Sequence, residues 1–197
     1  SSLSLSSLSR KKNTLVASMM AAAAAASGRP LGGTEIHVLH DPENMTLQFT
    51  QDGTDLYLGV LKSVVAAFDG DAAAESLKIA DIIDQMHWWF PYDSRKQMDP
   101  RFKPSEAVKK DLRTLKVTIV ECGVKPDAVD REIMSRATTI AADYERNPTH
   151  PPPVVVLISS DCDFSFIIPM LQKPGLRVAI VHQNMRKASL ALLKNDK

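Results

Sequence analysis

The stretch VVVLISSDCDFSF, from Val154 to Phe166, decides the fold class of this 197-residue chain. Its five consecutive apolar residues, Val154 to Ile158, predict a fully buried strand of a parallel sheet. Two carboxylates, Asp161 and Asp163, follow where the strand ends, and open α/β sheets build their sites at that edge. Because two like charges this close resist joint ionisation, the pair predicts a bound divalent cation.

The rest of the chain alternates strand-like and helix-like segments. Strands are expected at residues 35–40, 77–83, 117–120, 154–158 and 177–181, and helices at 55–68, 105–115, 127–144, 164–171 and 185–193. Residues 84–103 contain two prolines and many charges, and they predict an irregular insertion. The alternation predicts a Rossmann-like three-layer α/β/α sandwich with a mainly parallel sheet.

Composition divides the chain at residue 34. Residues 1–34 are rich in Ser and Ala and contain four basic residues and no acid, as is typical of an organelle transit segment. A transit segment of this kind would direct the protein to the mitochondrial matrix. A disordered tail on a cytoplasmic protein fits the same composition equally well. Residues 35–197 are expected to form one domain, with a net charge of −3. That balance is unusual for a nonspecific nucleic-acid binder, and no apolar run approaches membrane-spanning length.

Further oxygen ligands follow other predicted elements. Asp41 comes directly after the first strand, with Asn44 three residues on, and Asp127 and Asp130 open the long helix. Parallel strands bring these ends to one edge of the sheet, where carboxylates could hold Mg²⁺ and activate a water. Each acid alone has an ordinary structural explanation, as a turn former, a helix cap or a first-turn residue. Their joint occurrence favours a metal site.

Three other kinds of site fit the sequence less well than a metal site. The pattern Asp161, Asp163, Ser165 resembles the nucleophile motif of haloacid-dehalogenase-like phosphatases, but only 34 residues follow Asp163, too few for the later strands of that fold. The chain has neither GxGxxG nor a P-loop, so nucleotide binding by those devices is not supported. Cys122 and Cys162 lack metal-ligand spacing and are expected to be reduced thiols.

Three segments resemble the NYN nuclease domain of the PIN-like superfamily, and in particular the NYN domain of the meiosis regulator and mRNA stability factor. HVLHDPENM (37–45) is similar to its strand and D-x-x-N motif, and VKPDAVDREIMSRATTIA (124–141) is similar to the start of its acidic helix. The stretch from 154 to 184 resembles its S-[ST]-D-x-[DN]-F turn and the helix and strand that follow. The likeness covers most of residues 36–194.

The resemblance implies metal-dependent cleavage of single-stranded RNA with Mg²⁺ or Mn²⁺. It implies that four aspartates bind the metal and act in catalysis: Asp41, Asp130, Asp161 and Asp163. It implies supporting roles for Asn44, Asp127, Ser159 and Ser160. A second possibility is a weakly active or inactive NYN module that binds protein partners in a ribonucleoprotein, suggested by the mildly acidic body and the aromatic insertion.

Two basic stretches, 94–116 and 173–197, could neutralise RNA phosphates, although solvated helix faces often carry such charge. The candidate RNA contacts are Arg95, Lys96, Lys109, Lys110, Arg186 and Lys187. The run His87, Trp88, Trp89, Phe90 adjoins the first stretch and could stack on bases. We favour a core or interface position for these rings, because adjacent tryptophans usually divide between core and surface.

Overall fold

The computed structural model describes residues 18–20, 33–44, 59–62, 64–66, 68, 80, 83–93, 106–123 and 125–182. Six strands form one sheet: β1 (Ser18–Met20), β2 (Ile36–His40), β3 (Met86–Asp93), β4 (Thr118–Cys122), β5 (Val154–Ile158) and β6 (Arg177–His182). The named helices are α1 (Glu106–Thr114), α2 (Ala128–Arg146) and α3 (Ile167–Gln172). Two 3₁₀ helices span Ile83–Gln85 and Cys162–Phe166.

The strand order in the sheet is β1-β6-β5-β2-β3-β4. Five neighbouring strands, β6 to β4, run parallel, and β1 pairs with β6 in the antiparallel sense. The chain adds β3 and β4 on one side of β2, and α2 then returns it to the other side, where β5 and β6 are added. The direction of winding therefore changes between β2 and β5, where open α/β sheets form a crevice.

Helices cover both faces of the sheet. On one face, the helical residues between 59 and 68 and Leu112 of α1 pack with Val38, Trp88 and Phe90. On the other, α2 and α3 pack with alternate residues of the same strands, including Leu157. The α/β class and its three layers, predicted from the sequence, are confirmed.

The best-predicted element is β5, whose bounds agree with the sequence analysis and whose residues are all buried. The bounds of β2, β4, β6, α1 and α2 lie within two residues of their predicted positions. The predicted helix at 164–171 begins as the 3₁₀ helix Cys162–Phe166 and continues as α3. The predicted helix at 185–193 lies outside the described residues.

The second strand is not at the position predicted from the sequence. Ala80 is helical and Ile83 begins a 3₁₀ helix, so the predicted strand at 77–83 is not formed at those positions. The strand is β3, in the segment expected to be irregular. Pro91 was the reason for predicting irregular structure here. It lies beyond Trp89, the last residue of β3 that pairs with β2, and it pairs with Val120 of β4. One side of β3 is unpaired there, so the missing amide hydrogen is tolerated.

The N-terminal segment contributes to the sheet. Ser18–Met20, within the predicted tail, forms β1 and covers the outer edge of β6 by pairing with Ile180 to His182. Among the helices that the structure describes, none is both long and apolar enough to span a membrane.

Candidate metal centre

The centre begins where β2 and β5 end side by side. His40 and Ile158 are partners in the sheet, and the amide of Asp41 donates a 2.9 Å hydrogen bond to the carbonyl of Ile158. The Ser159 hydroxyl donates to Asp41 Oδ2 at 2.6 Å, and its oxygen accepts from the Asp161 amide at 3.0 Å. The first residues after the two strands are thus joined by hydrogen bonds.

Asn44 connects the two carboxylates. Its Nδ2 atom lies 3.0 Å from Asp41 Oδ2 and 3.1 Å from Asp161 Oδ2. The backbone amides of Glu43 and Asn44 also donate to Asp41 Oδ1, at 3.0 and 3.2 Å, which fixes the turn after β2. Asp41 Oδ2 and Asp161 Oδ2 therefore lie close together, since both contact the same nitrogen atom of Asn44.

The turn after β5 carries two carboxylates, those of Asp161 and Asp163. Asp161 Oδ1 accepts a 2.9 Å hydrogen bond from the amide of Asp163 and so caps the 3₁₀ helix. Potential ligand atoms of Asp161, Cys162 and Asp163 all lie within 4.8 Å of one another, and Cys162 Sγ is 3.6 Å from Asp163 Oδ1. Both cysteines are free thiols. Cys162 was not among the expected ligands, because the tight turn, rather than sequence spacing, brings its thiol to the carboxylates.

The first turn of α2 completes the cluster with Asp130. Burial and then the negative charges of Asp41, Glu43, Asp161 and Asp127 together raise the pKa of Asp130 to about 6. The acids of the turns after β2 and β5 therefore act electrostatically on Asp130. Asp130, Asp127 and Asp163 also line one cavity of about 590 Å³.

Asp127 begins α2 with a left-handed backbone, φ 58° and ψ 24°, which short polar residues such as Asp tolerate best. Its side chain makes no capping hydrogen bond, while its carbonyl accepts from the Arg131 amide at 3.0 Å. The exposed carboxylate is therefore available at the rim of the cavity. Asp127 occupies the N-cap position, as the sequence allowed, but its side chain does not cap the helix.

Arg131 lines the same cavity as Asp130 and Asp163. The ion pairs of Lys109, Lys116 and Arg146 are made with acids outside this cluster. Burial raises the pKa of Asp41, and hydrogen bonds from Ser159 and Asn44 oppose that rise. A fully buried carboxylate near three others costs free energy unless a proton or a cation compensates its charge.

Two acids were missed by the sequence analysis. Glu43 lies in the turn after β2, and its charge acts on Asp130. Asp93 is the last residue of β3, which runs parallel to β2, so Asp93 lies at the same edge of the sheet as Asp41. It is 5% exposed. Burial and then negative charge from Glu132, Asp93 and Glu43 together raise the pKa of the Cys122 thiol to about 11. Recognising MHWWFPYD as a strand would have identified Asp93.

The remaining predicted residues are Ser160, the candidate RNA contacts and the aromatic run. Ser160 is half-buried beside Ser159. Lys109 of α1 pairs with Glu106 at 2.9 Å and lies over the Tyr92 ring, and Lys110 is exposed. Four of the candidate RNA contacts fall outside the described residues: Arg95, Lys96, Arg186 and Lys187. Trp88 and Phe90 are core residues, as favoured from the sequence.

The donor set has the chemistry of a site for a hard cation. The Asp161 and Asp163 carboxylates and the Cys162 thiol lie close enough together to hold a metal ion. Asp130 lines the cavity that also contains Asp163, and Asp41 is fully buried behind them, joined to Asp161 through Asn44. No family model matches this chain, and no curated protein matches it either.

Proposed function

We propose that this chain is a metal-dependent endoribonuclease of the NYN type that binds Mg²⁺ or Mn²⁺ through Asp41, Asp130, Asp161 and Asp163. One observation supports it most strongly: Asn44 joins the carboxylates that follow β2 and β5, and the charges of Asp41 and Asp161 act on Asp130 at the start of α2. The convergence occurs at the topological switch point, where α/β sheets bind ligands.

The residues around the cluster hold the carboxylates in place. Ser159 and Asn44 fix both oxygens of the Asp41 carboxylate, and the Asp163 amide fixes one oxygen of Asp161. Asp130 holds a proton below pH of about 6 when no metal is bound. A divalent cation, when bound, lowers the pKa of a water and offsets phosphate charge, the chemistry that phosphodiester cleavage requires.

A cavity beside the carboxylates offers space for a substrate. The cavity of about 590 Å³ opens next to Asp130 and Asp163 and also contains Arg131. A phosphodiester strand can place one phosphate at the carboxylates and a neighbouring group in the cavity. RNA, rather than DNA, is the substrate implied by the resemblance of residues 37–45, 124–141 and 154–184 to the NYN domain.

The experiment compares wild type with Asp161→Asn. A 5′-labelled single-stranded RNA is incubated with Mn²⁺, Mg²⁺ or EDTA, and products are resolved on a denaturing gel. We expect cleavage with either metal, none in EDTA, and at least a 100-fold loss in Asp161→Asn, because one first-sphere carboxylate is gone. Asp143→Asn is the matched control, since Asp143 is an exposed residue of α2 that pairs with Arg146.

Two results would overturn this proposal. Cleavage by Asp161→Asn at the wild-type rate would exclude the acidic cluster as the active site, provided that both proteins melt alike. RNA binding by the wild type without cleavage in any metal would favour the alternative function, a binding module in a ribonucleoprotein.

A further inference from the structure

Phe166 is the one large hydrophobic side chain that is exposed among the described residues, at 54%. It ends the 3₁₀ helix that begins one residue after Asp161. Single exposed hydrophobic residues are common, so the case for Phe166 depends on its position five residues after Asp161, a proposed metal ligand, and on the cavity that it lines.

The ring stands on a rigid support. Phe164, two residues earlier, is 1% exposed in the core, and its carbonyl accepts the hydrogen bond of the Ile167 amide. Ile167 and Ile168 are fully buried directly after it. The backbone on both sides of Phe166 is therefore fixed, so that holding a ligand against the ring costs little conformational entropy.

The ring lines the cavity next to the metal centre. Phe166 and Met134 provide apolar walls, while Asp130 and Asp163 lie in the same cavity and Arg131 adds a cation. The Arg131 guanidinium is held in part by a 3.1 Å hydrogen bond to the Pro126 carbonyl. A ligand that suits these walls has a flat apolar part and, a short distance away, a negatively charged group that approaches a metal.

We propose that this cavity receives an unpaired nucleobase adjacent to the scissile phosphate, and that the base stacks on Phe166. The inference rests on the proposed function and adds to it a position that binds one base of the substrate next to the cleaved bond. Stacking tolerates any base because every base has a π-face, whereas a base held in a duplex cannot turn into the cavity.

The test measures binding of a fluorescent 10-nucleotide single-stranded RNA in Ca²⁺, which occupies oxygen sites with little catalysis. We expect Phe166→Ala to weaken binding about 10-fold and Phe166→Leu to weaken it similarly, while Phe166→Trp keeps wild-type affinity. Because the side chain is exposed, all three variants should melt within about 2 °C of wild type. In cleavage assays Phe166→Ala should raise KM more than it lowers kcat.

A second measurement isolates the stacking contact. A series of RNAs, each with one abasic nucleotide, is bound to wild type and to Phe166→Ala. At the position that occupies the cavity, removing the base should weaken wild-type binding, and the Phe166→Ala change should then have no further effect. A duplex of the same sequence should bind at least 10-fold more weakly than the single strand.

The outcomes separate this inference from the proposed function. Equal affinity of wild type and Phe166→Ala for every RNA would overturn the inference, even if Asp161→Asn abolishes cleavage. Loss of affinity in Phe166→Leu with recovery in Phe166→Trp would support it, even if the protein binds RNA without cutting. Equal binding of duplex and single strand would also overturn it.

Discussion

Ser159 Oγ donates a 2.6 Å hydrogen bond to Asp41 Oδ2 from 118 positions away in the chain. The same oxygen accepts the Asp161 amide at 3.0 Å. A single buried hydroxyl thus links the end of β2 to the turn after β5. The relative position of two proposed metal ligands depends on it.

Ser159→Ala should therefore weaken both the fold and the metal site. The change leaves Asp41 with one hydrogen bond fewer in a buried position, so the free energy of unfolding should fall by about 1–3 kcal/mol. Affinity for Mn²⁺ should fall about 10–100-fold, as for the loss of other groups that orient ligands. Urea denaturation and Mn²⁺ titration measure the two effects. Ser135→Ala, on the exposed face of α2, is the control, and an unchanged Mn²⁺ affinity in Ser159→Ala would contradict the linking role.

Asp130→Asn should raise the melting temperature of the metal-free protein. The raised pKa of Asp130 reports burial and repulsion from Asp41, Glu43 and Asp161, and the neutral amide removes both costs. An increase of about 1–3 °C is expected for a chain of this size. The stabilisation by Mn²⁺ should shrink at the same time. Glu145→Gln, an exposed residue of the same helix, should change neither quantity, and a lower melting temperature in Asp130→Asn would refute the repulsion.

Protons should compete with the metal. Because the folded-state pKa of Asp130 is raised from 3.8 to about 6, its contribution to stability falls as pH rises through this window, and the cost is complete above pH of about 6. A cation removes that cost at high pH but must displace a proton at low pH. The melting-temperature increase at fixed free Mn²⁺ should be larger at pH 7.5 than at pH 5.5. A response independent of pH would argue against Asp130 as a ligand.

The position of β3 predicts unequal effects for two neighbouring tryptophans. Trp88 is 2% exposed in the core, so Trp88→Ala should cost about 3–5 kcal/mol. Trp89 is half-buried on the other face, where its Nε1 donates to Glu132 at 3.1 Å and Arg136 lies 4.9 Å above its ring. Trp89→Ala should cost about 1–2 kcal/mol. Urea denaturation measures both, and equal losses would contradict the assigned strand register.

Individual residues show how far the sequence predicts this site. The apolar run before Ser159 allows only a buried strand, so Asp161 and Asp163 could be assigned to the edge of a sheet from sequence alone. The approach of Asp41 follows from the same rule, because parallel strands end together. Asp93 could not be predicted, because Pro91 argues against a strand in the segment that Asp93 ends. The 3.1 Å contact of Asn44 with Asp161 depends on two turns whose relative orientation no local pattern encodes.

The adjacency of β2 and β5 also has a kinetic consequence. Paired residues such as Leu39 and Leu157 are more than a hundred positions apart in the chain, so forming this pair closes a long loop. Pairings across such separations close late, because the entropy of a long loop is lost before their contacts repay it. During refolding, capture of Mn²⁺ should accordingly appear after the bulk of the helical signal has returned.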